Sequence, residues 1–307
     1  MRRTGITATD AVALAAAAAG DGSIRAYGRT PHDVFTSKVL GVDDFHETEA
    51  TELGQELEPI VIARVARRKG VHALRVDPEK LTRRHPTIAH HIATPDALFA
   101  QTAVHEPHAL GQVKVCGFHD AMHWGKDDTG ADSIPVSVLI QVTWEFHVSP
   151  EIHQEYVGVL VGTGVKTYTI LRDPSIDDLE ESLVDMVDQF WTDHVVPKKP
   201  PPPDGTPGAR RMLGALFPAA RAGSGLKSSP EAERFAESYF YHARIEKEAS
   251  AQKEIAQQGL ISILGDTETM VGDGWRLRYP NRAPVEVPAY VRKGYRHFDL
   301  RATKGPR

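Results

Sequence analysis

Cysteine is nearly absent from this chain. Its 307 residues include one, Cys116, so no disulfide can form within the chain, which fits a reducing cytoplasm. Long apolar runs are missing as well. The Ala-rich stretch after Met1-Arg2-Arg3 is too brief and too weakly apolar for a secretory leader, and no segment is long enough to span a bilayer. A strong charge of one sign is also lacking. The formal net charge is −5, which does not advertise a nucleic-acid binder, although phosphate contact is decided locally rather than by the sum. Several catalytic signatures are not found. There is no H-E-x-x-H, no cysteine pair to close a structural zinc site and no G-x-S-x-G elbow. Gly223-Ser224-Gly225 has no P-loop context. His119 and His123 stand at i, i+4 spacing with His85, His90, His91, His105 and His108 nearby. They keep a zinc hydrolase as an alternative, with scattered structural histidines as the simpler explanation.

What remains is an ordinary apolar content of 41%, enough for a sizeable core. Residues 8–20 read as a short helix capped by Thr9 or Asp10. Residues 46–69 carry a helical pattern in which Pro59 starts a new helix or kinks a longer one. Residues 87–100 read as a strand pair turning near Pro95-Asp96, and 110–116 alternate as a strand. Segment 134–148 has strand-like Val, Ile and Trp content but the length of a helix. Gly162-Thr163-Gly164 between two β-rich runs signals a hairpin. An acidic amphipathic helix opens at Ser175 and reads as a solvated outer face. Pro197–Pro203 is a stiff linker, and Ser229-Pro230 starts a long charged helix. A small β-rich tail follows around Trp275–Tyr279 and Val285–Tyr290. The expected domains are therefore 1–196, a linker over 197–228, and a helical extension with a basic tail over 229–307.

Chemistry-bearing residues occur in order within the first 150 positions: Glu58, Pro95-Asp96, Gln112-Val113-Lys114 and Gln141. Phosphodiester hydrolysis needs a hard cation to hold the phosphate and acidify a water, and Mg²⁺ prefers oxygen ligands. Positions i and i+2 of a strand share a face, so Gln112 and Lys114 can both face such an ion while Val113 lends its carbonyl. Lys114 can then stabilise charge developing on the phosphate. Basic residues crowd 64–84, Arg67 and Arg68 among them, and again the last residues of the chain.

With these residues the chain resembles the YqaJ-type viral recombinases, the family of lambda-type phage exonucleases within the PD-(D/E)XK nucleases. The likeness covers roughly 1–195 and rests on Gly5-Ile-Thr-Ala-Thr-Asp10, Gly54-Gln-Glu-Leu-Glu-Pro59, Thr94-Pro-Asp-Ala97, Gln112-Val-Lys114, Ile134-Pro135, Gln141-Val-Thr-Trp144 and Arg172-Asp173. The resemblance implies an α/β fold with a mixed central sheet flanked by helices, and a helix over 134–148. It implies metal ligands at Glu58, Asp96, Gln112 and the Val113 carbonyl, a catalytic Lys114 and a supporting Gln141. It implies a 5′-phosphate grip at Arg2 or Arg3, Thr9 and Thr94. Separately from the resemblance, the basic stretch 64–84, Arg67 and Arg68 included, is either a backbone-tracking surface or a solvated face. The cofactor is then Mg²⁺ or Mn²⁺, and the substrate duplex DNA ends. The partner is a single-strand annealing recombinase, the assembly a homo-oligomer of three, and the setting the cytoplasm of a phage-bearing host. The family has Glu or Asp where this chain has Gln112. That departure keeps open a catalytically weak or silent end-binding module; an endonuclease of the same fold is a further, separate alternative.

Overall fold

The computed structural model describes residues 4–42, 48–74, 81–117 and 120–281. Arg2, Arg3, His119, the basic tail and the strand expected at Val285–Tyr290 lie outside the described residues. Chain contacts divide the protein into two units, Met1–Phe217 and Pro218–Arg307.

In the first unit, helix α1 (Ala8–Ala19) begins one residue before Thr9 and two before Asp10, the two expected caps. Thr7 caps it, its hydroxyl accepting from the Asp10 amide at 3.2 Å while the Asp10 carboxylate accepts from the Thr7 amide at 2.9 Å. Such a reciprocal cap satisfies two otherwise orphaned donors and contributes about 1 kcal/mol. Ahead of it, Ile6 exchanges backbone hydrogen bonds with His90 and Ile92. Gly5 lies so close to this strand that a Cβ would sit 2.5 Å from the His90 carbonyl oxygen. Helix α2 (Pro31–Phe35) is capped by Thr30. Helix α3 (Glu49–Lys69) runs through Pro59 as one element, so the longer of the two expected helices forms. Its buried stripe, Val61 and Val65, lies against Gly158, where an added Cβ would meet Val65 Cγ2 at 2.6 Å. That close approach brings Glu58, one turn before Val61, over the sheet.

The central sheet has the order β1-β4-β5-β6-β7, with β1 at His72–Ala73, β4 at Ala97–Ala100, β5 at Ala109–Cys116, β6 at Gln154–Val161 and β7 at Gly164–Leu171. All neighbours are antiparallel except β5 and β6, which are parallel. A parallel pair needs a crossover, and helix α4 (Val136–Val148) supplies it. The ambiguous 134–148 segment is therefore a helix; it is buried nearly all round, which explains its apolar, strand-like composition. The β6–β7 hairpin turns at Gly162, whose φ of +59° lies in the left-handed region that glycine adopts without strain.

The strand pair expected within 87–100 does not form. β2 (Arg83–Arg84) pairs with β3 (Ile92–Ala93) as a separate two-stranded sheet, and β3 leads through Pro95 into β4 rather than folding back on it. Pro95 has no amide to donate to a ladder, and the Asp96 amide bonds the Gly111 carbonyl at 2.8 Å. Helix α5 (Pro174–Phe190) is capped by Asp173, two residues before the expected opening. Its acids are not all solvated: Glu180 pairs with Arg172 and His147, and Asp188 with His90 and His91.

The segment 197–228, expected as linker, carries helix α6 (Pro207–Leu216), which packs on α2. Arg211 grips Asp33 with two hydrogen bonds of 2.8 Å, and Met212 is buried. Gly208 lets α6 approach Thr30 where any side chain would collide. The second unit contains helix α7 (Pro230–Leu264) and a hairpin of β8 (Thr269–Gly272) with β9 (Trp275–Arg278). No helix among the described residues is long and apolar enough to cross a membrane.

Candidate active site

A cavity of about 370 Å³ opens where the start of α1, the β3–β4 connection, β5 and α4 meet. Asp96 lies just before β4, and β4 pairs with β5 so that Ala97 stands opposite Gly111. This register sets Asp96 beside Gln112. The Gln112 side-chain amide donates to Asp96 Oδ2 at 2.7 Å, and the Val113 backbone amide donates to the same oxygen at 2.7 Å. Gly111 makes room for this, since a Cβ there would lie 2.4 Å from the Phe99 ring. Gln112 and Lys114, two residues apart on β5, both line the cavity, as do Asp96, Thr94 and Thr9. The Thr94 hydroxyl lies 3.0 Å from that of Thr82. From α4, Gln141 faces the same space.

Glu58 is half-buried on α3. Burial raises its carboxyl above the ordinary range, the Asp96 charge raises it further, and Lys114 pulls it down. Glu58, Asp96 and Lys114 are thus within electrostatic reach of one another. Arg67 and Arg68 do not line the cavity. They sit exposed in the last turn of α3, where Arg68 pairs with Asp127 at 2.8 Å.

Two groups that the sequence reading did not single out also face the cavity. The first is an ionic cluster: Asp10 is fully buried, with Arg29 Nη2 and Lys38 Nζ each 2.7 Å from its carboxylate. Burial alone would raise the Asp10 carboxyl, but Lys38, Arg29 and the Thr7 amide hold it below its usual value. Asp10, Arg29 and Lys38 all line this end of the cavity. No local signal links Asp10 to residues 19 and 28 positions away. The second is Glu145, four residues after Gln141 on α4 and 1% exposed. Its Oε2 has no hydrogen-bond partner. Behind it on β6 lies Glu155, 0% exposed; no amide or hydroxyl donates to its carboxyl oxygens, and it hydrogen-bonds the Glu145 carboxyl when one of the two is protonated. Burial pushes Glu155 up to about 8, the Asp96 charge adds to this, and Glu145 and Lys114 pull back. Glu145 is raised well above the carboxylate range by burial, then by the charges of Glu155 and Asp96. The i, i+4 spacing of Gln141 and Glu145 was the available signal for Glu145.

His90, His91 and Asp188 also have donor atoms within 4.8 Å of one another. None of the three lines the cavity.

The fold is a mixed α/β core with a central mixed sheet flanked by helices, and the site is an acid-, amide- and lysine-lined cleft at the edge of two adjacent strands. Residues 1–152 match the family model described as the YqaJ-like viral recombinase domain, and over those residues the chain belongs to that family. Among solved structures, the chain is similar to an alkaline exonuclease, LHK-Exo, from Laribacter hongkongensis. Identity is 17% and the TM-score 0.47, over 64% of this chain and 93% of that one. The same enzyme in complex with dAMP gives 16% and 0.45 over 62% and 90%. A phage-related exonuclease from Haemophilus somnus 129PT gives 11% and 0.42 over 63% and 96%. No curated protein matches the chain.

Proposed function

We propose that the first unit is a divalent-metal-dependent double-strand DNA exonuclease that degrades duplex ends in the 5′-to-3′ direction during phage-type homologous recombination. The carrying observation is that Asp96, Gln112, Lys114 and Gln141 line one cavity in a YqaJ-like domain. The donors present fit a hard cation: side-chain oxygens of Asp96, Gln112 and Glu58 with the Val113 carbonyl would hold Mg²⁺ or Mn²⁺. Buried carboxyl oxygens without amide or hydroxyl donors support the same fit. When bound, such an ion supplies a water of lowered pKa and offsets the phosphate's charge.

The chain's own residues have separate tasks. The Gln112 and Val113 amides fix the orientation of Asp96. Lys114 places its ammonium where negative charge grows on the scissile phosphate. Gln141 orients groups from the opposite wall. Thr9 and Thr94 offer hydroxyls to a terminal 5′-phosphate; Arg2 or Arg3 completes this grip in the reading from family resemblance. Arg67 and Arg68 contact the backbone of the incoming duplex. By the same resemblance the enzyme works as a ring of three beside a single-strand annealing protein, in the cytoplasm of a phage-bearing host.

The test is degradation of linear duplex with Mg²⁺, its arrest by EDTA, and its dependence on a 5′-phosphate. Release of nucleotides from 3′ ends would overturn the polarity, equal cutting of closed circles would make the protein an endonuclease, and sedimentation at monomer mass would remove the ring. One observation favours a second reading: Gln112 brings an amide, not a charge, to the site. A protein that binds ends with Mg²⁺ yet leaves them uncut would establish it as a silent end-binding module.

A further inference from the structure

Position 112 poses a charge problem for the reading above, on which this inference rests. Gln112 donates its amide hydrogen to Asp96. It therefore neutralises part of the neighbouring acid where a carboxylate would add a second negative charge. With Lys114 in the same cavity, Asp96 and the half-buried Glu58 alone would face a divalent cation with little net attraction.

The compensating acid is already in the cavity. Glu145 reaches it from α4, across from the β4–β5 edge, one helical turn beyond Gln141. It is 1% exposed, and no amide or hydroxyl donates to its buried Oε2; its carboxyl is paired with that of Glu155, with which it can share a proton but beside which it cannot hold a second charge unaided. A buried carboxylate without donors is costly. Helix α4 could bury an apolar residue there at no such cost. A cation in the cavity would offset the charge of this carboxylate. We infer that Glu145 is a direct ligand of the cation and replaces the carboxylate that position 112 lacks, the charge having moved from β5 to the facing helix.

Glu155 plays a different part. It lies behind Glu145 on β6, opposite Leu110 in register, and does not line the cavity. It is a positioning neighbour, not a ligand.

The inference is tested with the full-length protein and Mn²⁺ as the probe, by titration calorimetry and by crystals soaked in Mn²⁺. Glu145→Gln keeps the shape and removes the charge. It is expected to weaken Mn²⁺ binding at least tenfold while leaving the thermal midpoint in EDTA unchanged or higher, because a buried acid has been neutralised. Adding Gln112→Glu to that variant is expected to restore the affinity, a rescue that a merely structural Glu145 would not allow. In the soaked wild-type crystal a Glu145 oxygen should lie about 2.0–2.4 Å from the ion. That measurement holds even if the variant fails to fold. Mn²⁺ affinity within twofold of wild type in Glu145→Gln, or an ion bound by Asp96 with Glu145 out of reach, overturns this inference and leaves the nuclease reading standing. Absence of both Mn²⁺ binding and DNA cleavage in the wild type overturns both.

Discussion

Two buried polar clusters in the first unit meet the cost of burial in opposite ways. Around His91 the network is closed. The His90 and His91 Nε2 atoms lie 2.8 and 3.0 Å from one Asp188 oxygen. His91 Nδ1 meets His147 Nε2 at 2.8 Å, His147 Nδ1 meets Glu180 at 3.0 Å, and Glu180 ends on Arg172 at 2.5 Å. His85 stacks on His147, and Trp191 on His90. His91, His147 and Glu180 each have both side-chain polar atoms met by another side chain. The acid cavity is open. Asp96 is oriented by two amides, but Glu145 and Glu155 receive no amide or hydroxyl donor at their buried oxygens and have only each other's carboxyl as partner. Metal-ligand spacing alone would nominate His90, His91 and Asp188; hydrogen-bond satisfaction nominates the acids. The two criteria point to different clusters, and metal binding measured in variants of each decides between them.

The sharpest way to break this comparison is at the cavity. Asp96→Asn and Lys114→Ala should each lower cleavage of linear duplex by about 10²–10³-fold, the scale for losing one group that stabilises developing charge. Thermal midpoints should stay close to wild type. Asp188→Asn, in the closed cluster, should leave the rate within a few-fold.

The next effect is on stability. Mn²⁺ at a hundred times its dissociation constant should stabilise the protein by about 2.7 kcal/mol, read as a rise in thermal midpoint. The rise should vanish in Asp96→Asn and persist in Asp188→Asn. Persistence in the first and loss in the second would move the metal centre to the histidines.

The two clusters also differ in the sign of their pH dependence. Burial raises the folded pKa of Glu155 to about 8 from its ordinary 4.5. The folded state holds a proton that the unfolded chain has released, so stability is lost as pH rises from 4.5 to 8. Glu155→Gln in EDTA should therefore raise the thermal midpoint by a few degrees more at pH 8 than at pH 5. His91 is pushed down from 6.5 to about 4, first by burial and then by the charge of His90, with His147 also contributing. Here the unfolded chain binds the extra proton, so stability falls as pH drops from 6.5 to 4. His91→Gln should flatten that acid limb, and an unchanged limb would refute the assignment. The smallest effect is expected at Arg67, exposed on α3. Arg67→Ala should weaken duplex binding modestly and reduce its salt slope by about one, without changing Mn²⁺ affinity.

Much of the framework was legible because its causes are local. Alternation in 110–116, the glycine turn at 162, Pro230 in the first turn of its helix and the i, i+2 pairing of Gln112 with Lys114 follow from neighbouring residues. Segment 134–148 was not legible locally: a crossover helix buried nearly all round has lost the polar face that marks helical period, and only the family likeness pointed to a helix. The strand pairing around Pro95 was misread because β3 takes its partner from Arg83–Arg84, outside the segment considered. Residues 207–216 looked like linker because nothing nearby shows that Arg211 will meet Asp33, 178 positions away.

The site divides the same way. By itself the sequence determined which residues carry acid, amide and lysine chemistry and which of them share a strand face, since strand geometry is a property of consecutive residues. Only the tertiary structure decided that Glu145 and Glu155 are stripped of water, that Asp10 gathers Arg29 and Lys38, and that the histidines close on one another. Burial and charge pairing depend on what the rest of the chain packs against a side chain, and no short window of sequence contains that.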